Sequence, residues 1–271
     1  MTEKLRIVPV TSLGHSELEP YRTLRGRTHH WSDGFCVAEG EKAVRALIAS
    51  SLRVHSLLLS EDWLHALAGA FRFPQHSETI LYIAPDNLLE EIVGYRMHKR
   101  LLAIGVIPAN PSLADMQHNA PSASVFVALE GIADAENMGM ILRNCAAFGV
   151  EGMIIGTDSC SPWLRRSVRV SLGNVFSLVI HRSDDVIGTV QYCQREWNWQ
   201  LIATTPYGGS TDLSPSGDIR ARCLLFGSEA SGLSEKALRI SDARFSIPMR
   251  NQVDSINVAN AVAVALFAMQ R

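Results

Sequence analysis

The sequence predicts an α/β protein in two parts, and three features carry that prediction. Short apolar runs alternate with stretches of helical periodicity along most of the 271 residues, the pattern of strands and helices stacked in layers. Between the two parts lies 109–122, ANPSLADMQHNAPS, rich in Pro, Asn and Ser and without periodicity, which reads as a linker. Near the C-terminus two apolar runs each stop at a Gly/Ser/Asn-rich loop. Such strand ends form the crevice outside the carboxyl edge of a parallel sheet, where ligands bind. The expected domains are 1–115 and 122–271.

The first part begins with an irregular basic lead-in. Residues 34–38 (GFCVA) are the first expected strand, punctuated by Gly40, and 41–51 a helix with Val44, Leu47 and Ile48 on one face. Residues 54–59 form a second strand, after which Ser60 caps a short helix opened by Glu61 and Asp62, carboxylates that favour a helix N-terminus. A third strand spans 79–84, Asp86 caps a helix over 87–93, and 101–106 is a fourth strand.

The second part opens with a buried strand at 125–129, then a polar loop through Glu130-Gly131 to Asn137. A helix over 138–148 ends at Gly149, a residue suited to the left-handed position past a helix. Further strands are expected at 152–156 and 200–204, and helices at 163–170, behind Pro162, and 185–196. A Gly/Ser/Pro loop covers 205–218. The run 223–226 is short enough for a buried parallel strand, and it stops at Gly227-Ser228-Glu229 with a second glycine at Gly232. Residues 245–249 form the last expected strand and 250–254 a polar loop. Ser255 or Asn257 is placed to cap a long apolar helix that follows.

Composition removes several classes of function. No apolar run approaches the ~20 residues that cross a bilayer, and the N-terminus lacks a signal peptide, so no membrane partner and a cytoplasmic location are expected. Five scattered cysteines without a CxxC pair read as reduced thiols. No HExxH or comparable spacing occurs, so no metal is expected. The stretch GSEASG has phosphate-loop spacing, but Leu233-Ser234 follows where Lys and Ser/Thr are needed. No GxGxxG follows a strand and no GxSxG elbow is present. Net charge is −2, so an RNA partner needs a local basic patch. Arginines make up 21 of the 25 basic residues, and Arg suits bidentate phosphate contacts. Two clusters qualify, Arg22, Arg25 and Arg27 followed by His29, His30 and Trp31, and Arg165, Arg166 and Arg169; a solvated face is the plain alternative for each.

Three stretches together resemble the SpoU (TrmH-like) branch of the SPOUT RNA methyltransferases. They are LEGIADAENMGMILRNCAAFG (129–149), LLFGSEASGLS (224–234) and IPMRNQVDSINVANAVAVALF (247–267), in the family's order. The segment 35–64 resembles, more softly, the auxiliary RNA-binding domain that precedes many SpoU-type catalytic domains, and 167–178 (SVRVSLGNVFSL) a family segment in which Ser171 and Gly173 recur beside the active site. The resemblance implies a parallel-sheet domain with a deep trefoil knot, preceded by a small α/β RNA-binding domain. It also implies S-adenosylmethionine (AdoMet) as methyl donor, a ribose 2′-hydroxyl in RNA as acceptor (rRNA favoured, tRNA possible), and a homodimer. Sequence physics alone disfavours a knot.

Carried over residue by residue, the family's catalytic set corresponds to Arg143, Asn137, Glu229, Ser255 and Asn257, with Arg143 engaging the target phosphate and assisting deprotonation. Its AdoMet contacts correspond to Thr204, Gly227, Gly232, Ile247, Met249, Ile256 and Asn257. Plainer readings stand beside these: a salt bridge for Arg143, a loop-capping carboxylate for Glu229, a helix cap for Ser255. Asn137 is expected to precede its helix and point independently of it. The chain departs from the family pattern at Asn251 (usually Gly), Ile256 (usually Leu) and Ala135 (often Pro). A non-catalytic RNA-binding protein of the same fold, or a base methyltransferase of the same superfamily, are the rival functions.

Overall fold

A computed structural model describes residues 6–12, 14–23, 34–71, 76–93, 101–121, 123–213 and 220–270. The chain divides into two compact units, 1–108 with 162–177, and 109–161 with 178–271. It therefore passes between the units three times, because a sixteen-residue stretch inside the second half belongs to the first unit.

The first unit is built on a five-stranded mixed sheet ordered β1-β4-β3-β5-β2, from β1 (Arg6–Pro9), β2 (Phe35–Glu39), β3 (Val54–Leu59), β4 (Ile80–Ile83) and β5 (Leu101–Val106). β1 and β3 lie parallel to β4, whereas β5 runs antiparallel to both β3 and β2. The lead-in thus contains a strand. Its mostly exposed residues and terminal proline suit a sheet edge and leave no apolar run to read. Helices α1 (Glu19–Thr23), α2 (Glu41–Ala49), α3 (Glu61–Leu67) and α4 (Asp86–Val93) complete the part before residue 108. Leu18 and Tyr21 join the core with Leu89, Leu102 and Ile104, and the buried Tyr21 hydroxyl shares a 2.8 Å hydrogen bond with Ser56.

The borrowed stretch attaches to β2 and α2. In α7 (Arg165–Val170) the Arg165 Nε donates to Glu39 Oε2 at 2.8 Å, with the two side chains 15% and 5% exposed. Beyond that helix Gly173 lies so close to Ala43 and Ala46 that a Cβ there would collide with both.

The second unit centres on a six-stranded sheet ordered β11-β9-β10-β6-β7-β8, in which every pairing is parallel. The strands are β6 (Ser124–Leu129), β7 (Gly152–Gly156), β8 (Ile180–Ser183), β9 (Trp199–Thr204), β10 (Ala221–Phe226) and β11 (Ala243–Phe245). The central pair, β6 and β10, is almost wholly apolar, as strands covered on both faces must be. Around the sheet run α5 (Leu113–Asn119), α6 (Ala135–Ala147), α8 (Val186–Trp197), α9 (Glu235–Ile240) and α10 (Val258–Ala268).

Three differences from the sequence reading have physical reasons. α5 lies within the stretch read as a linker; Ser112 caps it by accepting from the Asp115 N–H, and Met116 buries itself in the core. β8 and α9 are too short and too polar to announce themselves. The last strand occupies 243–245 and not 245–249: Phe245 pairs with Thr204, and 246–250 is irregular chain lining a cleft. Of the two caps that the sequence offers for α10, Asn257 serves and Ser255 does not: the Asn257 side chain accepts from the Ala259 N–H, in keeping with the sequence reading.

None of the five cysteines pairs, and burial pushes the Cys36 and Cys193 thiols up to about 12. Among the described residues no helix is long and apolar enough to cross a membrane, and no cluster of His, Cys, Asp or Glu could hold a metal.

Candidate functional site

The strand order fixes where a site can form. From β6 the chain moves outward through β7 to β8, then returns to the far side of the sheet for β9, β10 and β11. Neighbours β6 and β10 therefore send their connections in opposite directions, and the crevice outside their carboxyl ends is the switch point of a parallel sheet. Two loops meet there, 130–134 after β6 and 227–234 after β10.

An open cleft lies at the carboxyl ends of β9, β10 and β11, bordered by the start of α10, and encloses about 650 Å³ of empty space with the solvent at its open side included. Its walls are largely apolar, with Phe226, Leu233, Phe245, Ile247, Met249 and Ile256 contributing. Thr204, Thr205, Ser228 and Ser255 add hydroxyls. The Thr204 Oγ1 donates to the Leu225 carbonyl at 2.7 Å, tying β9 to β10, while the exposed Ser255 hydroxyl has no partner among the described residues. Gly227 is required by close approach: a Cβ would strike the Gly232 carbonyl group and the Leu233 nitrogen. The turn is closed by the Gly232 N–H donating to the Ser228 carbonyl at 3.0 Å.

Beside the cleft a polar chain links three elements. Asn137 Nδ2 donates to Glu229 Oε1 at 2.8 Å, and Asn257 Nδ2 donates to Asn137 Oδ1 at 2.8 Å. The Asn257 Oδ1 in turn accepts from the Ala259 N–H at 2.9 Å. Both ends fix the direction of the bonds, since an N–H only donates and a carboxylate only accepts. Burial on its own raises the Glu229 pKa, but hydrogen bonds from Asn137 and from the backbone at Glu229, Ala133 and Asp134 outweigh it and hold the carboxyl below its usual range. The Ala133 N–H donates to the second oxygen, Oε2, at 3.3 Å. Glu229 thus ties the loop after β6, the start of α6 and the loop after β10 together.

Asn137 does not precede its helix. α6 starts at Ala135 because Asp134 caps it, accepting from the Glu136 and Asn137 N–H groups at 2.8 Å each, so Asn137 is in the first turn and buried. Ala135, where the family often has Pro, holds the first helical position. Further along, Asn144 Nδ2 donates to the Ala259 carbonyl at 2.8 Å, a second tie from α6 to α10.

Of the residues named from the sequence, Asn137, Glu229 and Asn257 form the hydrogen-bonded chain. Thr204, Gly227, Gly232, Ile247, Met249, Ser255 and Ile256 line the cleft. Arg143 does neither. It sits on the exposed strip of α6, outside the cleft lining, with no ion pair or hydrogen bond among the described residues. Arg22 is exposed on α1, and Arg166 and Arg169 are exposed on α7, where Arg165 is instead engaged by Glu39. Arg25 and Arg27 lie outside the described residues, as do His29, His30 and Trp31. Sequence reasoning missed Leu233, Val258, Ala261 and the Thr205-Pro206 corner of the cleft. Adjacency to Gly232, Asn257 and Thr204 was the available signal.

Asn251 and Gln252 take φ of +56° and +58°, and the Val253 N–H closes the turn onto the Arg250 carbonyl at 3.2 Å. Asn tolerates this region; Gln does so less readily, which makes this a strained turn at the cleft mouth.

Comparison with known proteins adds a family to this geometry. The model of the SpoU rRNA Methylase family matches residues 124–267. An uncharacterized tRNA/rRNA methyltransferase of Mycobacterium tuberculosis is 35% identical over 193 residues, and the match spans 70% of this chain and 66% of that relative. A 23S rRNA (adenosine(1067)-2′-O)-methyltransferase of Streptomyces azureus is 36% identical over 144 residues, 52% of each chain. In fold, the chain is similar to a crystal structure of an AdoMet-bound rRNA methyltransferase from Sinorhizobium meliloti, with a TM-score of 0.82 at 24% identity over 97% of both chains.

Proposed function

This chain belongs to the SpoU rRNA methylase family, and from that premise we propose that it transfers a methyl group from AdoMet to a ribose 2′-hydroxyl of structured RNA. The hydrogen-bonded chain Glu229–Asn137–Asn257 beside an apolar cleft carries this reading. The cleft fits the donor. Ile247, Met249, Ile256 and Leu233 offer an apolar slot for adenine, and the side-chain-free turn at Gly227 leaves backbone groups within reach of polar atoms. When bound, AdoMet supplies an electrophilic methyl group on a sulfonium centre.

What remains falls to the chain's own residues. Holding two reactants in line contributes roughly 7–11 kcal/mol at best, and a positioned proton acceptor about 3–5. Glu229 is a poor proton acceptor, because its carboxylate is held ionised by donors on both oxygens. It acts by positioning, keeping the loops after β6 and β10 at the cleft edge, and Asn137 and Asn257 extend that brace to α10. Arg143 has no competing partner among the described residues and is open to a phosphate next to the target ribose, assisting loss of the hydroxyl proton.

The rRNA of the Streptomyces azureus relative favours rRNA over tRNA as substrate. The first unit is its natural anchor, through Arg22 with Arg25 and Arg27, and Arg166 is a further phosphate contact. A homodimer and a trefoil knot belong to the same reading. Val264 and Phe267, half-exposed on α10, form an apolar surface that a second copy would cover.

Calorimetric titration with AdoMet, followed by mapping of 2′-O-methyl groups in RNA from cells with and without the protein, tests the proposal. Micromolar binding and one site lost with the protein are the expected results. RNA binding without AdoMet binding would instead make the chain a non-catalytic RNA-binding protein of this fold.

A further inference from the structure

Tyr207 stands apart from the exposed large apolar residues of this chain, being 63% exposed and yet held in place. An isolated exposed aromatic needs no explanation. A fixed one at the mouth of a cleft does. Its hydroxyl donates to Asp254 Oδ1 at 3.1 Å, and its carbonyl accepts from Thr205 Oγ1 at 2.7 Å. The loop that carries it is stitched down further on, where the Gly209 N–H donates to Ser246 Oγ at 2.8 Å and the Ser210 N–H to the Arg244 carbonyl at 2.8 Å. The hydrogen bond to Asp254 also raises the Tyr207 pKa, which keeps the phenol neutral and donating.

The ring's location adds to this. Tyr207 follows directly on Thr205 and Pro206, which line one wall of the cleft, and Asp254 directly precedes Ser255 and Ile256, which line the other. The Tyr207–Asp254 bond therefore spans the cleft mouth. Arg250, at the first position of the strained turn, is exposed beside this rim with no side-chain partner among the described residues. A rigid aromatic face with an uncommitted guanidinium nearby is the pairing that single-stranded nucleic acid recognises, the ring stacking a base and the cation meeting a phosphate.

We infer that Tyr207 is the stacking platform for an unpaired base of the RNA substrate next to the ribose presented to the cleft, with Arg250 on the adjoining phosphate. This rests on the function proposed above and deepens it, since a ribose held at the cleft mouth requires its base to be splayed out of a helix. Pre-ordering by Asp254 and Thr205 removes the need to immobilise the side chain on binding.

The test uses the full chain and rRNA extracted from cells that lack it, with Tyr207→Ala and Tyr207→Phe. Filter binding gives the RNA Kd, transfer from labelled AdoMet gives KM and kcat, calorimetry gives AdoMet affinity, and sedimentation gives the mass. Tyr207→Ala should raise the RNA Kd and KM roughly 10- to 100-fold, the scale of one base–aromatic stack. AdoMet affinity and mass should stay as in wild type, and Tyr207→Phe, which keeps the ring, should recover most of the loss. Three results would overturn the inference: an RNA Kd unchanged in Tyr207→Ala, equal losses in both variants (the hydroxyl tie to Asp254 would then matter, not the ring), or a loss that tracks dissociation of a dimer. If wild type binds rRNA but transfers no methyl group, the enzymatic reading fails alone, and the binding comparison still decides the role of Tyr207. If wild type binds no rRNA, both fall.

Discussion

Replacing Asn137 by Asp would set a second carboxylate against Glu229 with almost no change of shape. The bond it replaces is 2.8 Å long. At that separation two unit charges repel by about 6 kcal/mol at an effective dielectric constant of about 20, and about 1.5 kcal/mol in bulk water. Asn137 is buried but Glu229 is largely exposed, so solvent screens the pair and about 3 kcal/mol is the reasonable middle value. Proton uptake is the other response. It costs about 1.4 kcal/mol for each pH unit above the ordinary carboxylate pKa, hence about 4 kcal/mol at pH 7 but only about 1.4 at pH 5. The penalty of Asn137→Asp should therefore be about 3 kcal/mol at pH 7 and fall to about 1.4 kcal/mol at pH 5, where a protonated acid can donate to Glu229 in place of the amide.

The sign distinguishes this from ordinary acid destabilisation. In the wild-type chain the folded pKa of Glu229 lies below its unfolded value, so its contribution is present above the unfolded pKa and lost as pH falls through the folded one. The substituted pair has a raised folded pKa, so its stability is present at low pH and lost as pH rises. Urea unfolding of both proteins at pH 7 and pH 5, followed by tryptophan fluorescence, measures the difference. A pH-independent penalty, or one below about 0.5 kcal/mol at pH 7, would refute the brace through Asn137.

Three further outcomes follow from the same geometry. Arg143→Ala, removing an exposed side chain with no partner among the described residues, should leave folding and AdoMet affinity near wild type while single-turnover methyl transfer drops about 10²-fold or more; Arg143→Lys should restore little, lacking the planar fork. Gly227→Ala should abolish AdoMet binding or unfold the turn, because its methyl group meets backbone at Gly232 and Leu233; unchanged calorimetric affinity would contradict the close approach. Glu39→Ala should cost about 3 kcal/mol in thermal unfolding by leaving Arg165 buried without its carboxylate, and a cost under about 1 kcal/mol would mean that water compensates the guanidinium.

What the chain writes locally could be read locally. Apolar runs of strand length at 54–59, 101–106 and 152–156 became strands with the same bounds, since burial on both faces leaves an unmistakable pattern. The polar edge strand β1, the short β8 and the six-residue α9 carry too few apolar positions for periodicity to register, and tertiary pairing alone makes them. The helix α5 hid in a stretch of linker composition because its case rests on one cap and one buried methionine. Cleft-lining residues such as Ile247 and Ile256 were recognisable because they lie within motifs of contiguous chain.

Contact across the sequence was a different matter. Glu229 and Asn257 lie 92 and 120 positions along the chain from Asn137, and only the order β10 beside β6 brings their side chains to 2.8 Å. The early start of α6, fixed by Asp134, turned an independent loop residue into a buried helical one. The attachment of 162–177 to the first unit depends on Arg165 meeting Glu39 from 126 residues away, which no linear pattern encodes. Sequence by itself determined the alternating α/β pattern and the chemical types available at two strand ends, because those depend on burial and neighbours a few residues apart. Tertiary structure decided which of those groups meet, which carboxylate is held ionised and which arginine stands outside the cleft, because hydrogen bonds and charges act through space, between residues that the chain places far apart.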